Sequence, residues 1–162
     1  MLLLLKNILF TVLVPGTVAV YVPFFLVRER SLASGVLFAC ALVVLSLGAT
    51  IYAWCVWDFA TFGRGTPAPI AAPKRLVSRG LYRYVRNPMY VGVLAMILGW
   101  ALMFRAPALI AYALVIGSCV HLFIVFYEEP HLQREFGKEY DEYCARVGRW
   151  VPRLRRAPSP VA

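Results

Sequence analysis

Two adjacent carboxylates, Glu128-Glu129, end one apolar stretch, Pro107 to Tyr127, and Arg86-Asn87-Pro88-Met89-Tyr90-Val91-Gly92 opens another that runs from Met89 to Phe104. A carboxylate at a membrane boundary can accept a proton, hold a cation or balance an arginine. Neighbours on a helix are separated by about 100°, so one glutamate can face a pocket while the other faces water. The surrounding surface is strongly basic, and an acidic pair within it asks for a partner, either Arg86 or a cationic ligand. Asn87-Pro88 leaves backbone N–H and C=O groups unpaired at the start of a span, where a polar ligand can use them. Tyr82, Tyr84 and Tyr90 place amphipathic rings at the same depth, the depth of an ordinary aromatic belt.

Residues some forty positions apart can share a site only if the chain between them crosses the bilayer and returns. The stretches on either side of Arg105-Ala106-Pro107 form such a hairpin, which brings both ends to one face. The 162 residues are 61% hydrophobic and 15% charged, with a mean hydropathy of +0.70. That is well above the apolar share of a soluble domain and marks an integral membrane protein. Four segments are long enough to cross: Ile8 to Val27, Leu32 to Trp57, Pro88 to Phe104 and Pro107 to Tyr127. Met1 to Phe10 has some signal-peptide character. The apolar run continues to Val27 with no small-residue cleavage site, so it reads as a retained first span. The expected fold is all-α: a single polytopic domain over 1–162 with about four transmembrane helices and a cytoplasmic amphipathic C-terminal helix. With four spans, fourteen Lys and Arg residues share one side and only Arg28, Arg30 and Arg105 lie opposite. This asymmetry predicts cytoplasmic N- and C-termini and favourable contacts with anionic headgroups.

The first two spans, within residues 1–58, carry few polar groups and read as scaffold. Small residues along the second, Ser46, Gly48, Ala49 and Ala53, would permit close helix approach. Phe59 to Asn87 has six basic and no acidic residues and opens on a Gly/Pro-rich loop. Leu76 to Arg86, with Ser78 as a cap, predicts a short interfacial helix ending where Pro88 restricts Asn87. Pro130 is expected to interrupt the last span and start a new helix. On that helix Leu132, Phe136, Tyr140, Tyr143 and Val147 make one apolar face, to lie on the membrane surface or on the cytoplasmic loops. The basic tail after Pro152 reads as disordered. Cys40, Cys55, Cys119 and Cys144 lack CxxC spacing and, with only His121 and His131 beside them, imply neither disulfides nor a metal site. The net charge of +9 follows topology rather than a nucleic-acid face, so no nucleic-acid partner is expected.

The run Leu76-Val77-x-x-Gly80-x-Tyr82-x-x-x-Arg86-Asn87-Pro88-x-Tyr90-x-Gly92, followed by Glu128-Glu129-x-x-Leu132-x-x-x-Phe136-Gly137-x-Glu139-Tyr140-x-x-Tyr143, resembles the isoprenylcysteine carboxyl methyltransferase and phospholipid methyltransferase superfamily. The match covers about half the chain, within 74–152. It implies a membrane-embedded methyltransferase that uses S-adenosyl-L-methionine without a Rossmann fold, opens laterally to a lipophilic acceptor, and resides in the inner membrane if the chain is bacterial, as its compact size would suit. Carried over position by position, Lys74, Arg75, Leu76, Val77, Tyr82, Asn87, Pro88, Met89 and Tyr90 would contact the cofactor. Glu129 would close the site on the cofactor side, and Glu128 would be the catalytic residue. Two positions depart from the family pattern. Asn87 replaces its usual histidine and cannot serve as a base near neutral pH. Ile124 stands where an arginine is expected to hold a prenylcysteine carboxylate.

Methyl transfer from a sulfonium is an in-line displacement that removes positive charge, so an apolar, water-excluding site favours it. A carboxylate or thiolate acceptor needs no base; a protonated amine does, and Glu128 is then the candidate. The alternatives are a membrane sterol-reductase-like enzyme using NADPH, whose C-terminal region is similar, and a non-enzymatic lipid-binding protein.

Overall fold

The computed structural model describes residues 9–63 and 75–153. Lys6, Lys74, most of the Gly/Pro-rich loop and the tail beyond Arg153 lie outside the described residues. Helix α1 spans Leu9–Leu26 and widens into a π-helical turn over Thr17–Tyr21. The widening falls just before Pro23, which has no N–H to give the preceding turn and whose ring would crowd it. Helix α2, Gly35–Asp58, is about 36 Å long, enough to cross the hydrocarbon layer. Helices α3, Pro88–Met103, and α4, Pro107–Phe123, form the expected hairpin. Its turn is tightened by Arg105 at φ 49°, and Pro107 opens α4 where the absent N–H has no helical partner to lose.

Three helices are long and apolar enough to span a membrane, and α3 is apolar but shorter. Its 16 residues give about 24 Å. It holds the centre of the bundle, burying Met89, Val93, Ile97 and Ala101 among others, whereas α4 buries only Leu109 and Ala113. The α2–α3 pair makes the most extensive helix interface. Its crossing point is Gly48 on Gly92, where a Cβ on either would lie 2.7 or 2.8 Å from the other's carbonyl oxygen. Of the four small residues expected to allow this approach, only Gly48 does so; Ser46, Ala49 and Ala53 are exposed. The buried face of α2 follows Ala41, Gly48, Tyr52 and Cys55, and the other three fall off it. Gly92→Ala should therefore lower the unfolding midpoint in detergent, at a cost of about 1–3 kcal/mol. An unchanged midpoint would show that the helices can part without loss.

Helix α1 is tied down by polar side chains rather than by size alone. Trp100 Nε1 donates to the Ala19 carbonyl at 3.0 Å and the Tyr112 hydroxyl to that of Val18 at 3.1 Å. Both carbonyls belong to the π-turn, whose altered hydrogen bonding needs partners where no water is present.

Pro130 does not interrupt the last span. The helix runs unbroken over Pro107–Phe136, passing through a π-turn at Ile124–Glu128 into α5, Glu129–Phe136. Pro130 sits in the first turn of α5, where the wider turn before it accommodates the ring. The break falls instead at Gly137, φ 50°, followed by α6, Lys138–Arg146. The apolar face predicted from Leu132 to Val147 is real, and it packs on Leu76. The loop, one of the two surfaces expected for it, is thus in contact with this face. The helix predicted over Leu76–Arg86 reduces to a 3-10 turn at Gly80–Arg83. Gly80, at φ 56°, prevents a longer helix, and Ser78 provides no cap.

Candidate active site

The site lies where the start of α3, the π-turn below α4 and the segment after α6 converge. Past its 3-10 turn the strip Tyr82–Asn87 is irregular, with Val85 in a single bridge, so its backbone groups need outside partners. The Tyr143 hydroxyl donates to the Tyr82 carbonyl at 2.8 Å. Burial pushes the Tyr143 phenol above its ordinary range, which keeps it a donor. Val85 and Gly148 form a parallel bridge, and the Arg86 N–H donates to the Gly148 carbonyl at 2.8 Å. Asn87, buried at 6% exposure, donates through Nδ2 to the Arg149 carbonyl at 3.2 Å. Residues Val147–Trp150 are thus laid along the strip as a strap, and the strap delivers Arg149.

Glu129 accepts two bonds from Arg149, Nε to Oε1 and Nη2 to Oε2, both at 2.8 Å, and its Oε1 lies 3.0 Å from Arg86 Nη1. A fork on a planar carboxylate combines strength with orientation. This pairing raises the Arg149 pKa still further, holding the guanidinium charged. Glu128 points elsewhere, accepting from the Tyr90 hydroxyl at 3.1 Å. The two glutamates therefore diverge as adjacent helical residues must. Of the partners open to the pair, Arg86 goes to Glu129, and Glu128 holds a phenol. Beside them the Trp150 indole donates to His121 Nδ1 at 3.1 Å.

Among the residues expected to contact a cofactor, Leu76, Val77, Tyr82, Asn87, Pro88 and Met89 are buried, Tyr90 and Glu129 are half-buried, and Arg75 is exposed. Lys74 lies outside the described residues. Leu76 packs into the α6 cluster, while Val77, Tyr82 and Met89 belong to the main core. The structure brings Tyr90, Glu128, Glu129, Asn87 and Arg86 together. Arg86 Nε is buried with no hydrogen-bond partner among the described residues. An orphaned guanidinium donor beside two half-buried carboxylates is a donor and acceptor set that fits a zwitterion: a carboxylate toward Arg86, a cationic centre toward Glu128. S-adenosyl-L-methionine carries both.

Two residues escaped the sequence reading. Arg149 is hidden there among seven basic residues of the C-terminal region, and only the fold singles it out. Asp58 was readable as the one acid at the end of the second apolar run, a place where a carboxylate demands a partner.

A helical membrane bundle with a buried, charged site at one end of a hairpin defines a polytopic membrane protein whose polar chemistry is confined to one boundary. The family described as phospholipid methyltransferase matches residues 34–139, and the chain belongs to it. It is 38% identical over 79 residues to protein-S-isoprenylcysteine O-methyltransferase B of Arabidopsis thaliana, covering 48% of this chain and 40% of that protein. It is 33% identical over 87 residues to phosphatidylethanolamine N-methyltransferase of Yarrowia lipolytica, covering 54% of this chain and 9% of the relative. A Delta(14)-sterol reductase of Gallus gallus is 31% identical over 80 residues, covering 49% of this chain and 13% of its own. The chain spans about two fifths of the length of the plant methyltransferases it matches. No solved structure matches it.

Proposed function

We propose that this protein is an S-adenosyl-L-methionine-dependent methyltransferase that methylates a lipophilic acceptor at the cytoplasmic boundary of the membrane. The observation that carries this reading is the divergent glutamate pair. Glu129 is consumed in fixing Arg86 and Arg149, which leaves Glu128, in the π-turn after α4, and Tyr90, on α3, facing each other across the hairpin. When bound, the cofactor would supply a methyl group on a sulfonium. Arg86 and the backbone at Asn87 would hold its carboxylate end, and Glu128 its cationic centre. Glu128 would also take the proton of an amine acceptor, while Tyr90 keeps its carboxylate oriented. The strap over Arg86 and Asn87 would keep bulk water from the cofactor side. Both termini are assigned to the cytoplasm from the excess of basic residues on the side that carries the site.

The acceptor's reactive atom is open among oxygen, nitrogen and sulfur. Membranes containing the protein, incubated with methyl-labelled cofactor, should transfer label to the organic-extractable fraction. Base-labile release as methanol would then mark an ester, and stable label an amine or thioether. Calorimetry should show that detergent-purified protein binds S-adenosylhomocysteine. Neither labelling nor binding, or nicotinamide oxidation in their place, would defeat the proposal.

A further inference from the structure

Asp58 is 1% exposed, at the end of α2 where the helix passes into a π-turn at Phe59–Gly63. Its Oδ1 pairs with Arg79 Nε at 3.0 Å, and Arg79 is half-exposed. Its Oδ2 is buried with no hydrogen-bond partner among the described residues. That oxygen rests against Gly80, in the space a Cβ there would fill, and Trp54 Nε1 borders the same space at 3.0 Å. Gly80 also requires its φ of 56°, so glycine is demanded twice over at this contact. One turn before Asp58, Cys55 shares the core cluster with Tyr82, and the Phe59 ring meets that of Tyr82 edge-on at 5.6 Å. The end of α2 is therefore a seat shaped for the turn Gly80–Arg83.

A buried carboxylate with one half-exposed partner and one orphaned oxygen is a poor stabiliser. An apolar side chain of similar volume would do as well or better, because the desolvation of the charge is incompletely offset. What the carboxylate supplies is register. The strip leading to Arg86 and Asn87 is held at its far end by Gly148, while Tyr143 binds the Tyr82 carbonyl at its start. At its near end the only ion pair among the described residues is Asp58 with Arg79. We infer that Asp58 is a positioning residue for the cofactor side of the site, locking the Arg79–Tyr82 turn to the end of α2 so that Arg86 and Asn87 present their groups in register. The inference rests on the methyltransferase reading.

The test is S-adenosylhomocysteine affinity, by calorimetry on the purified full chain, set beside the thermal midpoint of the same samples. Asp58→Ala and the isosteric Asp58→Asn should each weaken binding at least tenfold while the midpoint falls little. Arg79→Gln should weaken it to a similar extent, because it breaks the same ion pair, and should lower the midpoint more, because it leaves the buried Asp58 carboxylate unpaired. Gly80→Ala should weaken binding strongly where Asp58 is present and less in the Asp58→Ala background, because the added methyl collides with that carboxylate. A positioning role is overturned if the Asp58 variants bind as wild type does, or if their midpoints drop while the folded fraction keeps full affinity. If Asp58→Ala does not fold, Asp58→Asn decides by the same criteria. If wild type itself fails to bind, the cofactor assignment falls and this inference falls with it; wild-type binding with unaffected variants refutes the inference alone.

Discussion

Glu129→Gln should lower the unfolding free energy by about 2–3 kcal/mol and abolish measurable cofactor binding. The estimate is set below the roughly 3–5 kcal/mol that removing one partner of a fully buried ion pair costs, because Glu129 and Arg149 retain some solvent contact. Glutamine fills the same volume but brings no charge, so Arg86 and Arg149 are left repelling each other around a neutral amide. The loss spreads because Glu129 couples three elements: α5 by its own backbone, the strip through Arg86, and the strap through Arg149. Once Arg149 is released, the strap keeps its bonds to Arg86, Asn87 and His121 and that of the Val147 N–H to the Tyr143 carbonyl. Arg149→Lys should be milder, by about 1 kcal/mol, because a lysine keeps the charge and loses the fork. Thermal or denaturant unfolding in detergent measures both. A Glu129→Gln midpoint equal to that of wild type would mean that the strap is held by its backbone bonds alone.

The hairpin and the pairing of its open ends were legible because apolar length and the Arg105-Ala106-Pro107 turn determine them by geometry. The same holds for the apolar face from Leu132 to Val147, which spacing alone defines. Other features depended on backbone choices that composition does not encode. A sequence read at 3.6 residues per turn puts a helix end at Pro130, but a π-turn one step earlier carries the chain through. The strip before α3 has helix-compatible spacing, yet a single Gly80 at positive φ shortens it to one 3-10 turn. Of the site, Glu128, Glu129, Arg86 and Tyr90 stood out by type and position, and the division of labour between the glutamates did not. It depends on which arginine the strap brings in, and Arg149 reaches Glu129 through the parallel pairing of Gly148 with Val85 and the bond from Asn87 to its carbonyl. Asp58 was visible, but its use was not, because the carboxylate's partner is a turn some twenty residues further on.

Glu128 carries the second large expected effect, and its size depends on the acceptor. If the acceptor is an amine, the carboxylate takes a proton as the new bond forms, and Glu128→Gln should reduce kcat by about 10²–10⁴-fold, the range for a positioned general base. The rate should then fall on the acid side for wild type, as Glu128 becomes protonated, and Glu128→Gln should lose that limb along with the rate. If the acceptor is a carboxylate or thiolate, no proton needs removing. The same substitution should then act on the cofactor KM, with kcat nearly kept. Tyr90→Phe separates the two roles of the pair. Its 3.1 Å bond to Glu128 is long for a phenol on a carboxylate, leaving room to tighten when a cation arrives between the hairpin ends. Removing the hydroxyl should cost about 1.5–3 kcal/mol of carboxylate orientation, roughly a 10- to 100-fold loss in kcat/KM. Combined with Glu128→Gln it should add little, because a phenol that acts only through Glu128 has nothing left to orient. Full additivity in the double variant would show instead that Tyr90 touches the ligand on its own account.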